Sequence, residues 1–325
     1  MAEMAQAGAS TRSRARIVAA FAAIYLIWGT TFLAIRVAVE TIPPFLMAGL
    51  RFFLAGAAMF VFLLSRGERI PAARHWRTAL ITGGLMLLGG IGLISYAEQR
   101  IPSGLAGLMA AFIPIWITSF EWLIFRGKRP GAQTLIGLAV GFGGAILLFA
   151  PSVDARSGAD LPDMLIALAG TLCFALGSLV ARRAATPQAV AQSDPVSARP
   201  RRAAPESGAM GTALEMLAGG ALLLVFSAAL GEPARLNISA VSTRSLIALA
   251  YLTVFGSIIT YTAYLWLLRT VEPAVVSTNF YVNPVVAVVA GWLVLGETIT
   301  PAMGVAAAVI VLGVAIMTTP LPRKR

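Results

Sequence analysis

The sequence predicts an all-α polytopic membrane protein, with ten transmembrane helices arranged as two inverted five-helix repeats. Three observations predict it: a composition too poor in charge for water, ten apolar stretches of bilayer length, and basic residues confined to alternate loops. Of the 325 residues, 58% are hydrophobic and 12% charged, and the mean hydropathy is +0.83. A soluble domain carries about 25% charged and about 45–50% apolar residues, so this chain lacks the polar surface to cover a globule and needs lipid around it.

A helix needs about 20 apolar residues to cross the hydrocarbon. Ten stretches qualify: 17–38, 43–65, 76–97, 102–125, 132–150, 162–181, 209–230, 246–268, 273–295 and 301–318. Proline, glycine or charge marks most of the breaks, as turns between helices require. The one long loop, 182–208, is rich in Ala, Pro, Ser and Arg, a composition that cannot bury a core. Residues 1–16 form a polar, basic tail, and the apolar run from Ile17 is too long for the core of a cleavable signal.

The basic residues set the expected orientation. One set of loops and tails holds Arg12, Arg14 and Arg16; Arg66, Arg69, Arg74 and Arg77; Arg126, Lys128 and Arg129; Arg182, Arg183, Arg199, Arg201 and Arg202; Arg269; and Arg323, Lys324 and Arg325. The opposite set holds only Arg100, Arg156, Arg235 and Arg244. The positive-inside rule then places both termini in the cytoplasm. The same clustering argues against a nucleic-acid partner, which would require the net charge of +11 on one continuous face.

A shift of 170 residues aligns Pro114 with Pro284, Trp122-Leu123 with Trp292-Leu293, Gly143 with Gly313, and Tyr96 with Trp266. Near the start of each half, Trp28 and Arg36 correspond to Phe174 and Arg182. Five helices per half is an odd number, so the second half enters the bilayer inverted, a recurrent design of secondary transporters with the substrate site where the halves meet. The expected organisation is a tail (1–16), a first repeat (17–150), a second repeat (162–318) carrying the cytoplasmic loop 182–208, and a basic tail (319–325).

The chain has a single cysteine, Cys173, and a single histidine, His75, too few for a Cys/His metal site. No phosphate-binding G-x-x-x-x-G-K-[ST] loop occurs, so no metal, cofactor or ATP is expected. The glycines at 83–84, 89–92 and 141–144 lie inside apolar helices, where small residues permit close packing.

Polar and aromatic side chains within the spans carry the functional signal, because hydrocarbon penalises them unless they face protein or a wet cavity. Trp28 and Thr31 fall near mid-helix in the first span. Tyr96, Phe174, Tyr261, Tyr264, Ser277, Asn279 and Tyr281 complete the candidate cavity lining, with interhelical hydrogen bonding as the alternative use for each. Pro114 and Pro284 each remove a backbone donor and favour kinks. Arg51 and Glu215, at nearly equivalent places in helices 2 and 7, are candidates for charge recognition or coupling; the alternative is an end-zone charge that snorkels or pairs, Arg51 with Glu40 for instance. Glu215 is the most deeply placed acid. Glu121 reads as an interfacial anchor beside Arg126.

Ile27-Trp28-Gly29-Thr30-Thr31, the stretch from Pro43-Pro44 to Arg51-Phe52, and Tyr96-Ala97-Glu98 before Pro102-Ser103-Gly104-Leu105-Ala106 resemble the first EamA-type repeat of the drug/metabolite transporter superfamily. Phe255-Gly256-Ser257, Tyr281-Val282-Asn283-Pro284-Val285 and Gly296-Glu297-Thr298 resemble the second. The chain is similar to bacterial inner-membrane amino-acid and metabolite exporters of the YedA and YddG type. The resemblance implies an inverted 5+5 bundle, a central cavity lined mainly by helices 1, 3, 4, 6, 8 and 9, and efflux without ATP. Phe174 stands where such proteins usually carry Trp. The glutamate that small four-helix members use in their first helix has no counterpart here.

The expected function is secondary transport, exporting amino acids or related metabolites across the cytoplasmic membrane by alternating access, with the bilayer and a small-molecule substrate as the partners and a monomer sufficient. The alternatives are a multidrug or toxic-compound efflux carrier, a passive facilitator, and, least supported, a membrane-embedded enzyme. Reporter fusions test the topology: those after Arg129 and within 183–208 should report cytoplasm, and those after Gly158 or near Glu232 periplasm. An external 183–208 loop would overturn the helix count and the inverted repeat together.

Overall fold

The computed structural model describes residues 2–101, 103–149, 161–185, 208–295 and 300–319, and among them no strand occurs. The helices are α1 (Ala2–Ala38), α2 (Pro44–Ser65), α3 (Ala73–Ala97), α4 (Ser103–Ala110 continued as Ile113–Leu123), α5 (Ala132–Phe149), α6 (Leu161–Ala184), α7 (Gly208–Ala229), α8 (Thr243–Thr270), α9 (Pro273–Val276 continued as Asn279–Leu295) and α10 (Pro301–Thr318). Among the described residues nine are long and apolar enough to cross a membrane; the apolar part of α5, Ala132–Leu148, is shorter. At 1.5 Å per residue, α5 still spans most of a hydrocarbon layer about 30 Å thick. Most of the 182–208 loop and residues 320–325 lie outside the described residues, apart from α6 running on to Ala184, whereas the expected N-terminal tail is helical from Ala2 and continuous with α1.

Helix ends follow local chemistry. Proline opens α2, α9 and α10, where its missing N–H costs nothing. The Ser242 hydroxyl accepts from the Ser245 N–H at 3.1 Å to cap α8. Pro43 has no side chain to cap α2, and a distant residue does so. Glu232, in the short helix Glu232–Arg235 after α7, accepts from the Leu46 N–H at 2.8 Å, the Phe45 N–H at 3.4 Å and the Ser227 hydroxyl at 2.8 Å. An anion at a helix N-terminus satisfies free donors and the helix dipole together. Gly231 makes the turn possible by adopting φ +69°.

Two helices contain wide π turns that the periodicity did not indicate: Gly84–Gly92 in α3 and Leu252–Tyr261 in α8. They occupy corresponding places in the two halves. In α8 the side chains reinforce the wide geometry, the Ser257 hydroxyl donating to the Leu252 carbonyl at 3.2 Å and that of Thr260 to Phe255 at 2.7 Å. Such turns occur often at functional sites. Breaks in α4 and α9 differ in position. The first falls at Ala111-Phe112, just before Pro114; the second falls at Ser277-Thr278, and Pro284 sits within the helix that resumes.

Packing follows a pairwise pattern. The most extensive pairs are α2 with α7 and α5 with α10; α1 lies against α9 and α8, and α6 against α4 and α3. Exchanging the first five helices with the last five returns this same set of pairs. Close approach depends on glycine: a Cβ on Gly144 would sit 2.8 Å from the Ile310 backbone nitrogen, between α5 and α10. The outward faces carry exposed apolar side chains, Val61, Phe62, Leu123, Val225, Leu293 and Val311 among them, as lipid contact requires.

The glycines of α5 can be told apart experimentally. Gly144→Val should lower the detergent melting temperature, by the roughly 1–3 kcal/mol that overpacking costs. Gly143→Val should leave it unchanged, since a Cβ there meets nothing within 4 Å. Equal effects would show that α5 and α10 do not pack through the Gly144 face.

Candidate functional site

At the meeting of the two halves, four aromatic rings from four helices enclose a box. Trp28 of α1 faces Tyr264 of α8 with centroids 5.0 Å apart, Phe280 of α9 at 6.0 Å and Phe174 of α6 at 6.2 Å. Phe174 lies 5.5 Å from Tyr264 and 5.6 Å from Phe280. All four are buried, and their edge-on and tilted geometries are those that aromatic quadrupoles favour.

Their polar atoms are bonded within the protein. The Trp28 indole N–H donates to the Gly256 carbonyl at 3.2 Å, in the wide turn of α8. The Ser178 hydroxyl donates to the Phe174 carbonyl at 2.7 Å and receives the Tyr264 hydroxyl at 3.0 Å. The Thr31 hydroxyl donates to the Trp28 carbonyl at 2.7 Å. Asn283, with its amide nitrogen assigned by this network, donates to the carbonyls of Ile24, Tyr25 and Asn279 at 2.9–3.2 Å. Gly29 lets α1 and α9 meet here; a Cβ would lie 2.6 Å from the Val286 side chain.

Beside the box lies a small cavity of about 60 Å³, lined by Trp28, Thr31, Phe32 and Ile35 of α1, Arg51 of α2, Ile91 and Ile94 of α3, Ala110 and Ile113 of α4, Phe174 of α6, and Phe280 and Asn283 of α9. Arg51 is the only charged group on this wall among the described residues. It neither snorkels nor pairs with Glu40. It is buried, its Nε donates to the Ser257 hydroxyl at 2.7 Å, and its guanidinium lies over the Phe52 ring at 4.6 Å. Gly256 leaves room for it: a Cβ there would come within 2.7 Å of an Arg51 terminal nitrogen.

A larger space of about 590 Å³ opens at the helix ends, lined by residues including Glu40, Pro44, Phe45, Tyr96, Arg100 and Glu232. Tyr96 belongs to this vestibule and not to the box, stacked on Phe45 at 5.8 Å with the Arg100 guanidinium over its ring at 5.2 Å. Arg100 also pairs with Asp163 of α6 at 3.2 Å.

The structure brings Trp28, Thr31, Phe174, Tyr264 and Arg51 together and disperses the other candidates. Tyr261 points toward α7, where its hydroxyl donates to Glu215; the acid is thereby occupied by a partner. Tyr281 turns to α5 and donates to the Leu138 carbonyl at 3.3 Å. Ser277 closes a local turn on the Ala274 carbonyl, and the Asn279 amide is buried without a hydrogen-bond partner. Glu121 pairs with Arg182 of α6 at 2.7 Å, not with Arg126. Phe280 is the one ring of the box that the sequence reading missed. Its signal is the i, i+3 spacing to Asn283, which puts both on one helix face; attention to the polar residues on either side of it obscured that face.

These contacts separate two tyrosines that look alike in sequence. Tyr264→Phe should alter substrate transport, since its hydroxyl holds the box closed on α6. Tyr281→Phe should cost only about 0.5–1.5 kcal/mol of stability, one net hydrogen bond, with no change in transport selectivity. Altered selectivity in Tyr281→Phe would move the site toward α5.

Comparison with known proteins agrees with this architecture. The EamA-like transporter family model matches residues 15–150 and 203–319. The inner membrane transporter YedA of Escherichia coli (strain K12) is 35% identical over 302 residues, covering 91% of this chain and 88% of its own length. The transporter YoaV of Bacillus subtilis (strain 168) is 22% identical over 95% of this chain and 99% of its own. A chloroplastic WAT1-related protein of Arabidopsis thaliana is 25% identical over 91% of this chain and 68% of its own. A solved crystal structure superposes with a TM-score of 0.68 over 94% of this chain and 97% of its own, at 22% identity, a likeness of fold alone. The chain is a multi-pass membrane protein of the EamA-like transporter family.

Proposed function

We propose that this transporter exports small amphipathic metabolites, amino acids among them, across the cytoplasmic membrane by alternating access, with both termini in the cytoplasm. The observation that carries the reading is the box itself. Its walls come from α1 of one half and α6, α8 and α9 of the other, so a rocking motion of the halves opens or closes it without breaking any covalent bond. Inverted-repeat carriers place their substrate sites at such an interface.

The walls suit an amphipathic ligand. Aromatic faces offer apolar area and quadrupole contacts, and one guanidinium supplies charge. At about 60 Å³ the cavity holds no more than a small part of an organic substrate, so this conformation is the closed one and the halves must part to load it. The 590 Å³ vestibule at the Tyr96–Glu232 end forms the approach from the periplasmic side. The two repeats of residues 17–150 and 162–318, the second carrying the 182–208 loop, are the bodies that move.

Flux measured in proteoliposomes tests the proposal, using a panel of labelled amino acids with and without a proton gradient. Counterflow of at least one member is expected, falling by an order of magnitude or more in Trp28→Ala. Flux that is unaffected by Trp28→Ala would place the pathway elsewhere. If a gradient drives flux, Glu215→Gln distinguishes a coupling carboxylate from a structural one; the Tyr261 hydrogen bond predicts lower stability with coupling retained.

A further inference from the structure

Four acidic side chains are buried among the described residues: Glu98, Asp163, Glu215 and Glu232. Three are answered by donors, Asp163 by Arg100, Glu215 by Tyr261, and Glu232 by backbone N–H groups and Ser227. Glu98 is the exception. It is fully buried at the end of α3, and neither carboxylate oxygen has a hydrogen-bond partner.

The charged groups it senses are Arg36 of α1 and Arg51 of α2. Arg36 is already committed, donating to the Glu98 backbone carbonyl. Asp163, from α6, is engaged by Arg100. Arg51 is therefore the cation for which Glu98 can compete, and Arg51 is also the one charge on the cavity wall. A bare carboxylate in a dry site is costly, whereas its protonated form is tolerated. Burial accordingly pushes the Glu98 carboxyl well above the usual carboxylate range, with Arg36 and Arg51 opposing that shift.

We propose that the cavity binds an organic carboxylate with an apolar body through the Arg51 guanidinium, and that Glu98 competes with that carboxylate for Arg51 whenever it gives up its proton. With Glu98 protonated, Arg51 is an unneutralised cation facing an apolar, aromatic-walled space, and an anionic head completes it with charge-assisted hydrogen bonds. With Glu98 ionised, the two protein charges satisfy each other and the ligand loses its partner. Affinity is thus full at lower pH and falls as pH rises through the Glu98 titration. Binding the carboxylate and binding the proton reinforce each other, as linkage requires. The proposal rests on the box being the transport site.

The test uses the purified full-length chain and two isosteric probes, 3-phenylpropionate and 3-phenylpropanamide, which differ in charge at one end. Affinities come from ligand-dependent thermal stabilisation between about pH 6 and 9, where the acid stays ionised. The wild type should bind the acid about tenfold more tightly than the amide at pH 6, the scale of a charge-assisted hydrogen bond, and the ratio should shrink toward pH 9. Arg51→Gln should bring the ratio to about one. Gly256→Ala, which displaces the guanidinium but keeps its charge, should lower the ratio even if Arg51→Gln does not fold. Glu98→Gln should flatten the pH dependence. Equal binding of the two probes by the wild type, or of neither, would overturn the proposal, as would a wild-type pH slope in Glu98→Gln. The transport reading fails separately, by an absence of flux that the probes do not measure.

Discussion

Two adjacent residues in the wide turn of α8 hold the site together. The Gly256 carbonyl receives the Trp28 indole, and the Ser257 hydroxyl receives Arg51. Each would be difficult to satisfy otherwise. A tryptophan N–H and a guanidinium inside a lipid-surrounded bundle have no water to turn to, and each unanswered group costs several kcal/mol. A regular α-helix would bind its own carbonyls and leave fewer for neighbours; the π geometry of Leu252–Tyr261 redirects them. Gly256 contributes by lacking a Cβ, since with one Arg51 would not fit. In this conformation that one turn ties α8 to both α1 and α2.

The remainder of the bundle supports it by symmetry. The α2–α7 and α5–α10 pairs each join one helix of the first half to its counterpart in the second, giving a frame held by close helix packing. The helices that line the box, α1, α6, α8 and α9, cross between these frames. They carry the box rings, the wide turn of α8 and the broken segment of α9. Ion pairs tie both ends of α6 to the first half, Asp163 to Arg100 and Glu121 to Arg182. Such partly exposed pairs are individually weak.

Much of this was legible in the sequence, and the reasons are physical. Hydrocarbon thickness dictates span length, so ten apolar runs gave ten helices, and the 170-residue self-similarity anticipated the exchange of helix pairs. Trp28, Thr31 and Tyr264 stood out as candidates because polar groups at mid-span are costly unless used, and Phe174 because it corresponds to Trp28 in the second half. What stayed hidden depends on rotation about a helix axis. Tyr281 and Phe280 are neighbours in sequence yet face α5 and the box respectively, and the break at Ser277-Thr278 shifts the register that a regular 3.6-residue period would assign. Partner choice is equally invisible: nothing in the sequence indicates that Arg51 finds Ser257 instead of Glu40, that Arg182 finds Glu121, or that Glu232 caps α2.

The central claim is that the box is a site opened in turn to the two sides of the membrane. Site-directed labelling at Thr31, which lines the cavity and is buried, tests it most directly. Thr31→Cys in a chain whose lone Cys173 is replaced by Ser would be exposed to a membrane-impermeant thiol reagent, added to right-side-out or to inverted vesicles. The account predicts slow labelling from both sides, with transported substrate changing both rates. Labelling from one side only, whatever substrate is present, would contradict it.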